Sequence, residues 1–291
     1  MPALYAHRKF GALALDAAPD DIKKTIEANR KFFNYGLHGP DMFFYNRPFA
    51  KGGSVELASE IHHAPARNFF APSVEVLAAA AKENTAANKD TAANKDTAAN
   101  NDADALAAYL YGYACHFALD RACHSYISKV MSVTGASHAK VESDLEKYLI
   151  LKDFGNYKAL DYTGHIKPDR TVTDVIARLY PDMSADDVYT CAKLFDKYSS
   201  MMYDPSALLK FGAKIFFTFA SGGDTVFDML IQGEPDPSLL KYDEALENRL
   251  IDAVPAAVDF MREVSEKSPD ALDERFDDNF EEKEGWENIE L

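Results

Sequence analysis

A chain of 291 residues with 47% hydrophobic side chains, including 15 Tyr and 19 Phe, can bury a sizeable core, which excludes a disordered protein. Its formal net charge of −16 repels phosphate backbones and anionic headgroups, so neither nucleic acid nor a membrane surface is an expected partner. The start, Met1-Pro2-Ala3-Leu4-Tyr5-Ala6-His7, lacks a basic segment followed by an apolar run, and no apolar stretch approaches the roughly 18 to 20 residues of a spanning helix; the expectation is a cytoplasmic protein with no stable membrane insertion.

In chain order the signals are helical. Asp20-Asp21 after Pro19 open a helix running to about Asn34, with acidic side chains in its first turn. Gly36-Leu37-His38-Gly39-Pro40-Asp41 ends it and leads into the aromatic run Met42-Phe43-Phe44-Tyr45. Ser54 caps a helix through Val55, Leu57 and Ile61, which Pro65 should end or kink near His63. A further helix is expected from Ser73 to about Lys82. Over 84–102 the chain is of low complexity, with Thr-Ala-Ala-Asn-Lys-Asp twice and then Thr-Ala-Ala-Asn-Asn-Asp. A six-residue period is too short for a solenoid and carries no apolar face, so the segment reads as a solvated insertion, partly helical or mobile. Ala103 to about Met131 is strongly helical, and Gly135-Ala136-Ser137 begins a helix to about Leu151. Later helices are expected over Thr171–Leu179, Ser184–Met202, Pro205–Ser221 and Asp243–Val264. Residues 1–272 thus read as a single all-α metal-binding domain, and 273–291 as a loose acidic tail with Trp286 as its one anchor. Cys115, Cys123 and Cys191 show no disulfide spacing. The first two, eight apart on one helix, are separated by roughly 12 Å of rise, so all three are expected as buried thiols in a reducing compartment.

The chemistry is concentrated in Cys115-His116-Phe117-Ala118-Leu119-Asp120-Arg121-Ala122-Cys123-His124. His116, Asp120 and His124 stand at i, i+4 and i+8 and therefore form one stripe on a helix face, among apolar neighbours such as Tyr113, Phe117 and Ile127. Two imidazoles and a carboxylate in such surroundings are costly unless paired or bound to a metal. His138 and Glu142 repeat the i, i+4 spacing on the next helix. Imidazole with carboxylate suits zinc, and also manganese or iron. Either pair alone would be an ordinary hydrogen-bonded contact; two consecutive pairs with His124 in register favour metal. His62-His63, taken alone, would be a doublet on an amphipathic helix, His7 and His38 surface or turn histidines, and His165 a surface residue.

These pieces, in this order, resemble the zinc-dependent phospholipase C family, whose fold is shared more distantly by zinc-dependent single-strand nucleases. The resemblance spans roughly residues 5 to 150: His7-Arg8-Lys9-Phe10-Gly11, then Gly39-Pro40-Asp41 with its aromatic sequel, a helical His at 62 or 63, the His116/Asp120/His124 stripe, and the His138/Glu142 pair. It implies a multi-helix bundle of the phospholipase C and single-strand nuclease type with two or three zinc ions. One would be bound by His62, His116 and Asp120, another by His124, His138 and Glu142. Seven residues place His62 above apolar Val55 and His63 above charged Glu56, which favours His62. Asp41 matches the family carboxylate that binds metal or acts as general base. The family's third ion uses a free amino terminus with an early His and a bridging Asp, here His7 and Asp120; the six residues before His7 depart from that pattern. The implied activity is hydrolysis of a phosphate ester, with a small phosphate ester or a phospholipid as substrate. Its alternatives are a non-catalytic metal-binding helical protein and a single-strand nuclease. Phe43, Phe44 and Tyr45 line either the pocket or the core.

Overall fold

The helix carrying the histidine stripe is apolar almost all round, a pattern that requires burial on every side. The computed structural model, which describes residues 3–46, 53–90, 102–203, 228–281 and 285–291, gives it that environment. Among these residues the chain is all-α, with helices α1 (Leu4–Ala17), α2 (Asp20–Ala28), α3 (Arg30–Gly36), α4 (Ser54–His63), α5 (Arg67–Asp90), α6 (Asp102–Thr134), α7 (His138–Phe154), α8 (Arg170–Ile176), α9 (Ala185–Tyr203), α10 (Leu240–Asp252) and α11 (Val254–Glu266). A tight 3-10 segment, Gly39–Tyr45, links α3 towards α4. Helix α6 is the axis of the bundle and packs against α1, α2, α3, α5, α7, α8, α10 and α11. No helix among the described residues is long and apolar enough to cross a membrane.

Several boundaries differ from expectation for local reasons. Helix α1 is not among the helices expected from the sequence. The expected Asp20–Asn34 helix breaks at Asn29 (φ −124°, ψ 38°), whose side-chain amide donates to the Thr25 carbonyl and so competes with the helical ladder. Helix α5 begins ahead of Ser73 and runs through Pro72, which removes a hydrogen bond in only its second turn, while Phe69 and Phe70 pack on Tyr113. It continues to Asp90, so the first hexapeptide repeat prolongs a helix. Asp243–Val264 is two helices, because Pro255 cannot continue the first and instead sits in the opening turn of the second. The Pro205–Ser221 helix and the repeat from 91 to 101 lie outside the described residues. Cys115, Cys123 and Cys191 are free and buried.

The stretch read as a loose tail departs most. Phe276 and Phe280 are completely buried. Phe276 packs on Phe70, Phe117 and Phe260, and Phe280 on Phe117. The acidic composition describes the outward side of this segment; the phenylalanines between the acids decide where it goes.

The closest helix crossing sets the height of the site. A Cβ on Gly36 would stand 2.0 Å from the Tyr109 carbonyl oxygen, and one on Gly112 would stand 2.1 Å from that of Phe33. Backbone therefore lies on backbone where α3 crosses α6, and the chain after Gly36 is delivered directly beside His116. Since a methyl there meets main chain on both sides, Gly112→Ala is expected to cost at least the roughly 1–3 kcal/mol typical of overpacking. Urea denaturation would report it as a lower midpoint at unchanged slope, and an unchanged midpoint would contradict the crossing.

Candidate metal centre

Four helices and one turn bring the histidines and acids together. His7 comes from α1, Asp41 from the 3-10 segment, and His62 from the last turn of α4. His116, Asp120 and His124 form the stripe on α6, and His138 and Glu142 the first turns of α7, whose start is fixed by Ser137 accepting from the Lys140 amide. His62 is buried and His63 exposed, as the phase of an unbroken α4 requires. His7, Asp41, His116, Asp120, His124 and Glu142 are buried as well.

Asp120 is the hub. One carboxylate oxygen lies 3.3 Å from His7 Nε2 and 3.8 Å from His124 Nε2, while the other lies 3.1 Å from His116 Nε2. Asp41 Oδ1 is 3.0 Å from His62 Nε2 and 3.9 Å from His116 Nε2. At the other end Glu142 Oε1 stands 3.1 Å from His138 Nε2 and 3.5 Å from His124 Nε2. Among the described residues the ion-pair partners of Asp41 and Asp120 are all histidines. Burial would raise the Asp120 carboxyl, but the charge of His116 and His124 and the close approach of the His116 and His7 rings hold it well below the usual carboxylate range.

The residues fit a metal ion in three respects. Two ligands at about 2.05 Å from a tetrahedral zinc are about 3.3 Å apart, and most of the separations above bracket that value. His116 Nε2, despite lying 3.1 Å from Asp120, has no hydrogen bond and is a buried orphan; the atoms converge on a common point rather than on each other. Three rings are also turned the right way. His62 Nδ1 donates to the Ala58 carbonyl at 2.7 Å, His116 Nδ1 to that of Leu37 at 3.2 Å, and His124 Nδ1 to that of Phe280. A carbonyl can only accept, so each ring carries its proton on Nδ1 and presents Nε2 to the centre, the outer support that metal-binding histidines need. By these tests three groups could each hold an ion, their ligand atoms within 4.8 Å of one another: His62, His116 and Asp120; His124, His138 and Glu142; and His7, Asp41 and His116. The last shares His116 with the first.

The sequence missed several members of this neighbourhood. His38, in the turn after α3, is buried and shares a 2.8 Å contact between Nε2 atoms with His165, which is half-buried rather than the surface residue expected. Gly39, at φ +38°, leaves room for the His116 ring, which a Cβ would approach to 2.8 Å. Phe43 is core against Tyr180, while Phe44 packs on His62. The Phe280 carbonyl comes from the segment read as a tail.

Comparison with known proteins gives one result: a family model described as zinc dependent phospholipase C matches residues 6–189, which includes all eight residues from His7 to Glu142 named above. No curated protein and no solved structure matches the chain.

One pH dependence follows from the charges. Burial would lower the His124 imidazolium, but Asp120, Glu142 and Glu281 outweigh it and hold it up to about 10. The ion-free ring is therefore protonated at neutral pH, and metal binding must expel that proton. Zinc uptake at pH 7 is expected to release close to one proton from His124, and the affinity of this group to rise about tenfold per pH unit between pH 6 and 8. Calorimetry in two buffers of different ionisation enthalpy measures this directly; heats independent of buffer would refute it.

Proposed function

The chain belongs to the zinc-dependent phospholipase C family, and from that premise we propose that it is a zinc-dependent hydrolase acting on a phosphate ester, either a phospholipid or a small phosphodiester. The observation that carries this reading is the adjacency of the His62/His116/Asp120 and His124/His138/Glu142 groups, which share α6 and are linked through Asp120. Zinc bound there would neutralise phosphoryl oxygens and make water a nucleophile near neutral pH.

The protein's own residues divide the remaining work. Asp120 turns its two oxygens towards different rings, so it spans the groups rather than serving one. Asp41 lies on the tight Gly39–Tyr45 turn beside His62, where its carboxylate would orient the attacking water and take its proton. His7, stacked on His116 with ring centroids 4.4 Å apart, closes the α1 side and offers Nε2 to Asp120. The His138 side chain is 34% exposed while its partner Glu142 is buried, so this end of the centre is open to solvent. A purely structural site has no need of such an opening, and the substrate would approach from there.

Metal content decides first. Protein purified without chelator or affinity metal is expected to carry two or three zinc ions per chain, Asp120→Ala to lose most of them, and His138→Ala to lose one. Zinc-depleted protein should cleave a chromogenic phosphodiester or phosphatidylcholine only after zinc is returned. Full occupancy with no turnover of phosphodiesters, phospholipids or single-stranded DNA would leave a binding protein, and turnover of DNA alone would make it a nuclease. Asp41→Asn, which keeps the shape but not the charge, is expected to lower kcat by about 10²- to 10⁴-fold. An unaffected kcat would remove Asp41 from the role of base.

A further inference from the structure

The family match ends at residue 189, yet a segment nearly a hundred residues later reaches both ligand groups. Its approach is fixed at three points. The Asp278 carbonyl accepts from the Ala66 amide at 2.9 Å, Asp278 Oδ2 pairs with Arg121 Nε at 2.5 Å, and Asp277 Oδ1 pairs with Arg67 Nε at 2.5 Å. The next residues enter the core. The Phe280 amide donates to the His62 carbonyl at 3.1 Å, one of the carbonyls left over where α4 ends, and the Phe280 carbonyl accepts the Nδ1 proton of His124. The Phe280 ring, fully buried, lies 5.6 Å from the His62 ring and 5.8 Å from that of His116, centroid to centroid. Asn279 shapes this delivery, because its side-chain oxygen accepts from the Glu281 amide at 3.1 Å and so orients the Phe280–Glu281 peptide plane.

We infer that the Asp278–Glu281 segment is a positioning strap for the metal centre, in which the two main-chain groups of Phe280 hold His62 of one ligand group and His124 of the other. The inference rests on the metal reading above. Helix α6 supplies His124 but leaves its ring free to rotate about χ2, and the strap removes that freedom. With Nδ1 tied to Phe280, Nε2 faces Glu142 at 3.5 Å. Without that acceptor the ring can take the other tautomer or turn towards Glu281, whose carboxylate oxygen is 3.7 Å from Nδ1. Outer supports of this kind are worth about 10- to 100-fold in metal affinity. The strap also accounts for the packed phenylalanines inside an otherwise acidic segment: the acids pair with Arg67 and Arg121 at the entry, and Phe280 fills the space behind the imidazoles.

The test uses the full chain with Asn279→Ala, which spares the core, and Phe280→Ala, which does not. Zinc affinity is measured by chelator competition, alone and in a His138→Ala background that removes the second ligand group. Asn279→Ala is expected to weaken one zinc ion about tenfold, to have no further effect in the His138→Ala background, and to leave the melting temperature of the zinc-depleted protein unchanged. Phe280→Ala is expected to weaken both ions if it folds. Affinities in Asn279→Ala within twofold of the parent would overturn the strap, as would a fall in the zinc-depleted melting temperature that accounts for the loss. A parent that binds no zinc would overturn the metal reading itself, a result distinct from either.

Discussion

The arrangement of this protein depends on placing the Asp120 carboxylate in the interior. An ionised carboxyl withdrawn from water costs several kcal/mol unless positive groups surround it, and Asp120 is 5% exposed with three imidazoles as its neighbours. That requirement explains why α6 is buried along most of its length and why helices distant in sequence end beside its middle. His116 and His124 arrive with Asp120 on the same helix. His7 must be brought by α1, and the Leu37 carbonyl that orients His116 must come from the end of α3. The contact of Gly36 with Gly112 is what allows that carbonyl to reach. Any side chain at the crossing would lift the Gly39–Tyr45 turn, and Asp41 with it, away from the centre.

The parts legible in the sequence are those whose geometry is set within a single helix. The stripe at 116, 120 and 124 and the pair at 138 and 142 have a spacing that a regular helix converts directly into a shared face. His62 was separable from His63 because α4 keeps its phase up to the residue before the Ala64-Pro65 break. The all-helical class followed from the same periodicity. Neither the helix ends nor the long-range partners were legible. Asn29 and Pro255 break helices whose apolar period runs on past them, so periodicity alone joined what the backbone separates. His38 and His165 are isolated in sequence, 127 residues apart, and nothing near either one signals their contact.

Composition misled in one direction that has a physical cause. From residue 273 onward the sequence is dominated by acids, and charge-rich ends of chains are usually solvated. Burial, however, is decided by individual side chains. Phe276 and Phe280 are spaced four apart and each brings a large apolar area to a cluster that already contains Phe70, Phe117 and Phe260. The intervening acids stay at the edge, where Arg67 and Arg121 meet them. The same division applies to the net charge of −16. That figure counts Asp41, Asp120 and Glu142 with the surface acids, yet these three are buried, and histidines, with any bound cation, are their counter-charges.

The two ligand groups linked through Asp120 are not equivalent. In the first, His62 and His116 are buried, and both have Nδ1 tied to a carbonyl before any ion arrives. In the second, His124 is tied in this way, but the His138 side chain is one-third exposed, and among the described residues its recorded ion pair is to Glu142, through Nε2. Orienting a ring in advance lowers the entropy lost on binding, so the first group is the rigid half of the pair and the second the adjustable one. Asp120 faces both, with one oxygen 3.1 Å from His116 and the other 3.8 Å from His124. An ion held on the buried side would fix the carboxylate, which would in turn limit how far an ion on the open side could shift. The proposed hydrolysis would use that asymmetry, holding charge on the buried side while substrate and product exchange at the open one, and α6 carries the shared residue between the two histidines.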